Sequence, residues 1–179
     1  MKKSAIIKNA ISLIISIGII AFLLVYFNQT YLYLPFTVPS SITKELGITY
    51  ESFKKPVTVE VLTYENLYSA ESIKSSYFPE DKTQYEKLAR EMVGFYSRIV
   101  SNGNKIAYGS YEVQNLNTSG IRYYIDLRCG ESMMTLMDFM DSNEIIRMGN
   151  DNYYTITPAL REQLINYIKE TYPIKDIIK

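Results

Sequence analysis

Residues 9–27 read NAISLIISIGIIAFLLVYF, and this stretch decides the class of fold to which the chain belongs. It contains no charged side chain. A helix of this length, at about 1.5 Å per residue, covers about 28 Å, which is close to the hydrocarbon thickness of a bilayer. Because such a helix would expose a continuous apolar surface in water, we predict that residues 9–27 form a transmembrane helix.

The charges on either side of this helix predict its orientation. Lys2, Lys3 and Lys8 precede it, whereas the next basic residue after it is Lys44. Basic residues stay preferentially on the cytoplasmic side of a membrane. Residues 1–8 are therefore predicted to be a cytoplasmic tail. We expect a single-pass protein of the cell membrane, whose helix contacts the lipid bilayer and whose C-terminal domain lies outside.

A cleaved signal peptide is the rival interpretation of the same stretch. Such signals have a shorter apolar core and small residues before the cleavage point. Here the apolar run ends in Val25, Tyr26 and Phe27, so bulky side chains stand where small ones are needed. An uncleaved signal-anchor is therefore the preferred prediction.

The remaining residues divide into a linker and one domain. Residues 28–41 are predicted to be a linker, because Pro35 and Pro39 favour extended backbone. Residues 42–179 are enough for a single domain with one core. Three of the 19 basic residues precede the apolar stretch, so residues 28–179 hold 16 basic and 19 acidic side chains, a net charge of −3. This mildly acidic balance gives no reason to expect nucleic acid as a partner.

Hydrophobic periodicity predicts the elements of the domain. Alternating residues predict a strand over 57–61 and a hairpin whose strands, 106–113 and 121–127, flank a turn at 115–120. Stripes at helical spacing predict helices over 80–101 and 131–141. A second hairpin over 144–156 and a last helix beginning at Thr157-Pro158 follow. The predicted fold class is α+β, with one N-terminal transmembrane helix followed by a single domain that has an antiparallel sheet and about three helices.

The absence of histidine limits the chemistry of this chain. It removes the commonest general base and metal ligand, and with them Ser-His-Asp and Cys-His catalysis within the chain. We assign no catalytic, cofactor-binding or metal-binding residue, and whether the protein is an enzyme stays open, with a non-enzyme favoured. Heavy use of Lys, Asn, Ile and Tyr is typical of an AT-rich bacterial genome.

Cys129 is the most reactive-looking residue. It follows a predicted strand and precedes a predicted helix, whose N-terminus would favour a thiolate, and Arg128 adds positive charge. However, no histidine is present to activate it. A lone cysteine is more often a small buried apolar residue, which is the competing interpretation.

Paired tyrosines in two predicted strands suggest an aromatic binding face. The pairs are Tyr123-Tyr124 and Tyr153-Tyr154. Neighbouring residues of a strand point to opposite faces of the sheet, so one ring of each pair is expected on the outside, where tyrosine is well suited to an interface.

Together these features predict a membrane-anchored extracytoplasmic binding or interaction domain without catalysis. Its partner would be another membrane or envelope protein, or a small ligand. An alternative is a hydrolase of envelope glycans that uses two carboxylates. The acids nearest to predicted strands are Glu60, Glu112, Asp126 and Glu131.

A second alternative is a cytoplasmic-facing regulator. Residues 133–168, a predicted helix, a hairpin and a final helix, resemble the wing region of winged-helix proteins. The resemblance covers about 35 residues and would imply nucleic-acid recognition through a basic helix. The predicted helix over 131–141 is acidic instead.

Overall fold

The helices and strands are taken from a computed structural model, which describes residues 2–69, 72–74, 82–149 and 151–172. The elements are α1 (Lys2–Thr30), α2 (Ser40–Leu46), β1 (Val57–Asn66), β2 (Ser72–Lys74), α3 (Lys82–Asn102), β3 (Lys105–Ile106), α4 (Tyr111–Gln114), β4 (Ser119–Cys129), β5 (Ser132–Met140), β6 (Ile145–Met148), β7 (Asn152–Thr155) and α5 (Pro158–Thr171). A 3-10 turn occupies Tyr50–Phe53.

The first helix is longer than predicted and stands apart from the rest of the molecule. Every residue from Ile7 to Tyr26 is exposed. The apolar side chains lie on all sides of α1 rather than along one stripe. By length and composition, Ile7–Thr30 is able to cross a bilayer, with 24 residues that include an 18-residue stretch of mean hydropathy 2.7.

The strands form one antiparallel sheet of seven strands, in the order β2-β1-β4-β5-β6-β7-β3. In the described part of the chain, the helices besides α1 are α2, α3, the single-turn α4 and α5. The predicted α+β class with an antiparallel sheet is therefore confirmed. There is one helix more than predicted.

One face of the sheet packs against α3 and forms the core. Val57, Val59 and Val61 alternate along β1 on this buried face. The apolar stripe of α3 covers it, and its buried side chains include Leu88, Ala89, Met92, Tyr96 and Ile99. The ring of Tyr167 on α5 lies 5.4 Å from that of Phe95 on α3, so the two helices pack side by side.

Several local predictions are confirmed. The helix predicted over 80–101 is α3, although residues 80 and 81 lie outside the described part. The second hairpin is β6–β7. The last helix begins as predicted, because the Thr157 hydroxyl accepts a hydrogen bond from the Leu160 amide and Pro158 is its first residue.

The helix predicted over 131–141 is wrong, because this segment is strand β5. A bulge explains the error. Ile125 of β4 pairs with Met137 and Asp126 pairs with Thr135, which leaves Leu136 as an extra residue. A bulge breaks the two-residue alternation of a strand, and the apolar residues then fall at spacings of three and four. The resemblance to a winged-helix protein depended on a helix at the start of 133–168, and the structure has strand β5 there instead.

The first predicted hairpin is also wrong. Strand β3 contains only Lys105 and Ile106 and pairs with β7, and residues 111–114 form α4. Strand β4 pairs with β1 and β5 instead. Its partner β1 lies far away in sequence, so the local pattern of turn residues at 115–120 did not reveal the pairing.

The segment after the apolar helix is packed against the domain. Residues 28–30 belong to α1. Leu32 and Tyr33 are buried in the core, where the ring of Tyr33 lies 5.0 Å from that of Phe53. These residues of the predicted linker therefore contribute to the folded domain.

Candidate binding face

The strand alternation separates the four predicted tyrosines as expected for two faces of a sheet. Tyr123 and Tyr154 are buried on the core side. Burial raises the pKa of each hydroxyl to about 12. Tyr124 and Tyr153 lie half-buried on the opposite face of the sheet. Each shares that face with the residue directly across from it on the neighbouring strand, which is Leu62 for Tyr124 and Arg147 for Tyr153.

That opposite face, which we call the polar sheet face, carries most of the charged and aromatic strand side chains. It is formed by Glu60, Tyr64, Arg122, Tyr124, Asp126, Arg128, Asp138, Arg147 and Tyr153. Strands β1, β4, β5, β6 and β7 all contribute to it, so the face extends across most of the sheet.

Asp138 lies at the centre of an ion-pair network on this face. Arg122 donates from Nε to Oδ1 and from Nη2 to Oδ2, both at 2.7 Å. Arg147 Nη2 lies 2.9 Å from Oδ2, and its Nη1 lies 3.6 Å from Asp151 Oδ1. Because Asp138 is nearly buried and paired with both arginines, it links β4, β5 and β6.

Aromatic rings flank this network. The guanidinium of Arg122 lies 5.5 Å from the ring centroid of Tyr64 and 5.7 Å from that of Tyr124. The Tyr124 hydroxyl and the Thr135 hydroxyl are 2.7 Å apart and share a hydrogen bond. These contacts hold the rings and the guanidinium in fixed positions.

Asp126 is the least satisfied group on the polar sheet face. Its side chain is 3% exposed, and its Oδ1 has no hydrogen-bond partner among the described protein atoms. Burial raises the pKa of this carboxyl, a hydrogen bond from Thr135 partly opposes the shift, and the negative charge of Glu60 adds to it. The environment therefore favours the neutral acid more than an exposed site does.

A second polar atom on this face also lacks a partner. The buried Nε of Arg147 donates to no described protein atom. Both atoms are buried beneath the surface of the face.

The acids considered for catalysis are separated except for one pair. Glu60 and Asp126 lie directly opposite each other on β1 and β4, and Glu60 accepts hydrogen bonds from Arg128. Glu112 on α4 and Glu131 in the turn after β4 are exposed. In the described ranges, no group of three or more His, Cys, Asp or Glu side chains could hold a metal ion.

A cleft of about 300 Å³ lies away from these residues, where β1 begins. It is lined by Lys55, Pro56, Val57, Tyr85 and Glu86. Among the described residues that line it, the carboxylate is that of Glu86, which lies 2.5 Å from Lys55 Nζ in an ion pair. These described residues do not bring together two carboxylates.

Cys129 ends β4 and is 3% exposed. Burial raises the pKa of its thiol to about 12, so the thiol stays protonated at neutral pH. Since β5 replaces the predicted helix, no helix N-terminus follows Cys129 to favour the thiolate. The lysines on which the predicted orientation rests lie in α1, where Lys2 and Lys3 are in its first turn and Lys8 is exposed.

Sequence reasoning missed the network of Arg122, Asp138 and Arg147. The alternation of Arg122, Asp126 and Arg128 with apolar residues indicated a polar strand face. The partners of these side chains depend on the register between β4, β5 and β6, which includes a bulge.

Comparison of this chain with protein-family models, curated proteins and solved structures found no match.

Proposed function

We propose that this protein is a membrane-anchored binding domain without catalysis, which holds the polar sheet face outside the cell for a partner. The partner is an envelope component or membrane protein that offers both hydrogen-bond donors and acceptors. The orientation rests on the positions of Lys2, Lys3 and Lys8.

The polar sheet face itself supports this proposal most directly. Asp138 holds Arg122 and Arg147 in place, and the rings of Tyr64 and Tyr124 lie beside the Arg122 guanidinium. Tyrosine and arginine side chains are enriched at protein interfaces. Half-buried side chains of these types, held in fixed positions on one face, are suited to a partner surface.

The exposure of α1 supports the anchor. Its side chains stay exposed around the whole helix between Ile7 and Tyr26. Each large apolar side chain transferred from water contributes about 1.5–3 kcal/mol. The domain covers none of this surface, and a bilayer would cover all of it.

Protease shaving of intact cells tests the orientation. The full-length chain is detected with an antibody to its C-terminus, beside a cytoplasmic control protein. We expect the full-length band to disappear while the control protein stays intact. Protection in intact cells that is lost on lysis would place the domain inside and overturn the extracytoplasmic part of the proposal.

Photo-crosslinking in intact cells tests the binding face. A photoreactive phenylalanine replaces Tyr108, which is exposed and whose ring lies 6.0 Å from that of Tyr153. Lys169 on α5 is the matched control, because it is exposed on a helix that packs beside α3. We expect a discrete adduct from position 108 but not from 169. Equal patterns from both positions would contradict the assignment of the face.

A carboxylate hydrolase remains the second candidate, because Glu60 and Asp126 lie opposite each other in different environments. Glu60 is paired with Arg128, whereas burial favours the neutral form of Asp126. Acid–base glycoside hydrolysis uses two carboxyl groups that lie in different environments. Release of reducing ends from envelope glycans by the purified full-length protein, lost in Asp126→Asn, would favour this candidate over a binding domain.

A further inference from the structure

The outer end of α1 is fixed to the domain by backbone hydrogen bonds. The amide of Leu32 donates to Phe53 O, and the amide of Lys55 donates to Thr30 O, both at 2.9 Å. Tyr31 and Lys54 form an antiparallel bridge between these bonds. The chain over residues 50–55 is therefore held alongside the end of the helix.

Side chains strengthen this junction. The ring of Tyr50 lies 5.6 Å from that of Phe27 and 5.1 Å from that of Tyr31, in both cases edge to face. Lys55 Nζ donates to Asn28 O at 2.6 Å. Edge-to-face ring pairs are favourable beyond their burial, so Tyr50 is held against the last turn of α1.

The depth of this junction follows from the length of the helix, which extends past the apolar stretch 9–27. Ile7–Thr30 contains 24 residues, which extend over about 36 Å at 1.5 Å per residue. This exceeds the hydrocarbon thickness of about 30 Å. The last turn of α1 therefore reaches the headgroup layer, and residues that contact it lie at the same depth.

We propose that residues 50–55 form a second membrane contact, in which Tyr50 and Lys54 of the domain lie among the lipid headgroups beside Tyr26 and Tyr31. This inference rests on the proposed anchoring of α1. Tyrosine rings and lysine side chains favour the membrane–water interface, because each combines an apolar body with a polar end. The domain therefore lies directly on the bilayer, and residues 50–55 are the part of it that touches the lipid.

We call residues 50–55 the membrane footprint of the domain, and their charges predict which lipids they contact. Lys54 is exposed, but Glu51 is exposed beside it, and Lys55 is already paired with Glu86. The footprint has no excess of positive charge. Contact therefore depends on the aromatic rings, and we expect it in zwitterionic bilayers without anionic lipid.

The absence of tryptophan from the chain makes a clean test possible. In the full-length protein in phosphatidylcholine vesicles, Tyr50→Trp introduces the only tryptophan. We expect lipids brominated near the top of the acyl chains to quench its fluorescence, and lipids brominated near the chain ends to quench it less. Ile19→Trp, near the middle of the apolar segment, should show the reverse order. Tyr68→Trp should show no quenching, because Tyr68 is exposed beyond the opposite end of β1.

The outcomes separate the footprint from the anchor. Quenching of Ile19→Trp without quenching of Tyr50→Trp would overturn the footprint and leave the anchor intact. No quenching of Ile19→Trp would overturn the anchor itself. Lys54→Trp repeats the measurement at an exposed position, so a packing defect at Tyr50 does not decide the result. Equal quenching of Tyr68→Trp would also contradict the proposal.

Discussion

Asp126 is a carboxyl group that the folded protein prefers in its neutral form. Folding raises its pKa above the unfolded value of about 3.9, so the folded state binds this proton more tightly than the unfolded state does. The stability that comes from Asp126 is therefore fully present below the unfolded pKa. It is lost as the pH rises through the folded-state pKa.

The variant Asp126→Asn tests this linkage, because it keeps the shape of the side chain and cannot ionise. We expect the variant to have the higher free energy of unfolding at neutral pH, and the difference to shrink as the pH falls toward about 4. Thermal unfolding across this pH range measures it. The exposed Glu144→Gln is the control and should show no such trend. A variant less stable than the wild type at neutral pH would mean that Asp126 is ionised and well partnered.

For single residues, the sequence predicted the face of the sheet to which a side chain points better than it predicted the side chains with which that residue forms ion pairs. The alternation of Tyr123 with Tyr124, and of Tyr153 with Tyr154, was enough to predict that one ring of each pair points away from the core. The burial of Cys129 was one of two interpretations left open. Nothing in the local sequence indicated that Asp138 would receive two arginines, since these come from different strands.

At the scale of the element, α3 offers two glycines in contrasting surroundings. A Cβ atom added at Gly94, inside the helix, meets nothing within 4 Å. One added at Gly103, just after the helix, would lie 2.2 Å from Thr155 O. The first position is thus free for a side chain, whereas the second is a close contact between the end of α3 and β7.

We therefore expect the same substitution to have opposite effects at the two positions. Gly94→Ala should raise the free energy of unfolding by about 0.5–1 kcal/mol, because alanine restricts the unfolded chain and favours helix. Gly103→Ala should lower it by about 1–3 kcal/mol, because the backbone of β7 must move. Chemical denaturation in detergent measures both. A stabilised Gly103→Ala variant would show that α3 and β7 are not packed this closely.

Elements with strong local signals were predictable, and elements defined by distant partners were not. The stripe of α3 and the Thr157-Pro158 start of α5 are properties of a few neighbouring residues. The identity of β5 depends on a bulge opposite Ile125 and Asp126, which gave Leu136, Met137 and Met140 a helical spacing. Strand β3 pairs with a strand about 50 residues later in the chain.

At the scale of the whole molecule, the boundary between anchor and domain decides which fragments fold. Leu32 and Tyr33 are buried in the core, and Arg90 both donates to Leu32 O and lies over the Tyr33 ring at 4.9 Å. Leu32 and Tyr33 thus belong to the packing of the domain, although the prolines that follow them predicted a linker. Sequence composition does not reveal this, because an extended segment with prolines is compatible with either role.

We predict that a fragment of residues 31–179 is more stable than one of residues 40–179. Loss of a large buried apolar side chain costs about 2–5 kcal/mol, and the shorter fragment loses two. Thermal unfolding followed by circular dichroism compares them. Phe36→Ser in the longer fragment is the control, because Phe36 is 83% exposed and its replacement should change little. Equal melting temperatures of the two fragments would show that residues 31–39 do not stabilise the domain.

In the proposed anchored arrangement, the hydrogen-bonded junction at Tyr31 and Lys54 would couple the membrane to the opposite end of the sheet. Strand β1 begins at this junction, and its ten residues extend over about 30 Å. Membrane helices change their tilt to match bilayer thickness. If the hydrogen bonds at this junction keep helix and sheet together in the proposed anchored arrangement, a tilt of about 10° would swing the end of β1 through about 5 Å, a lever-arm estimate from the same strand length. The molecule would then act as a lever that turns a change in bilayer thickness into a sideways displacement of the far end of the sheet.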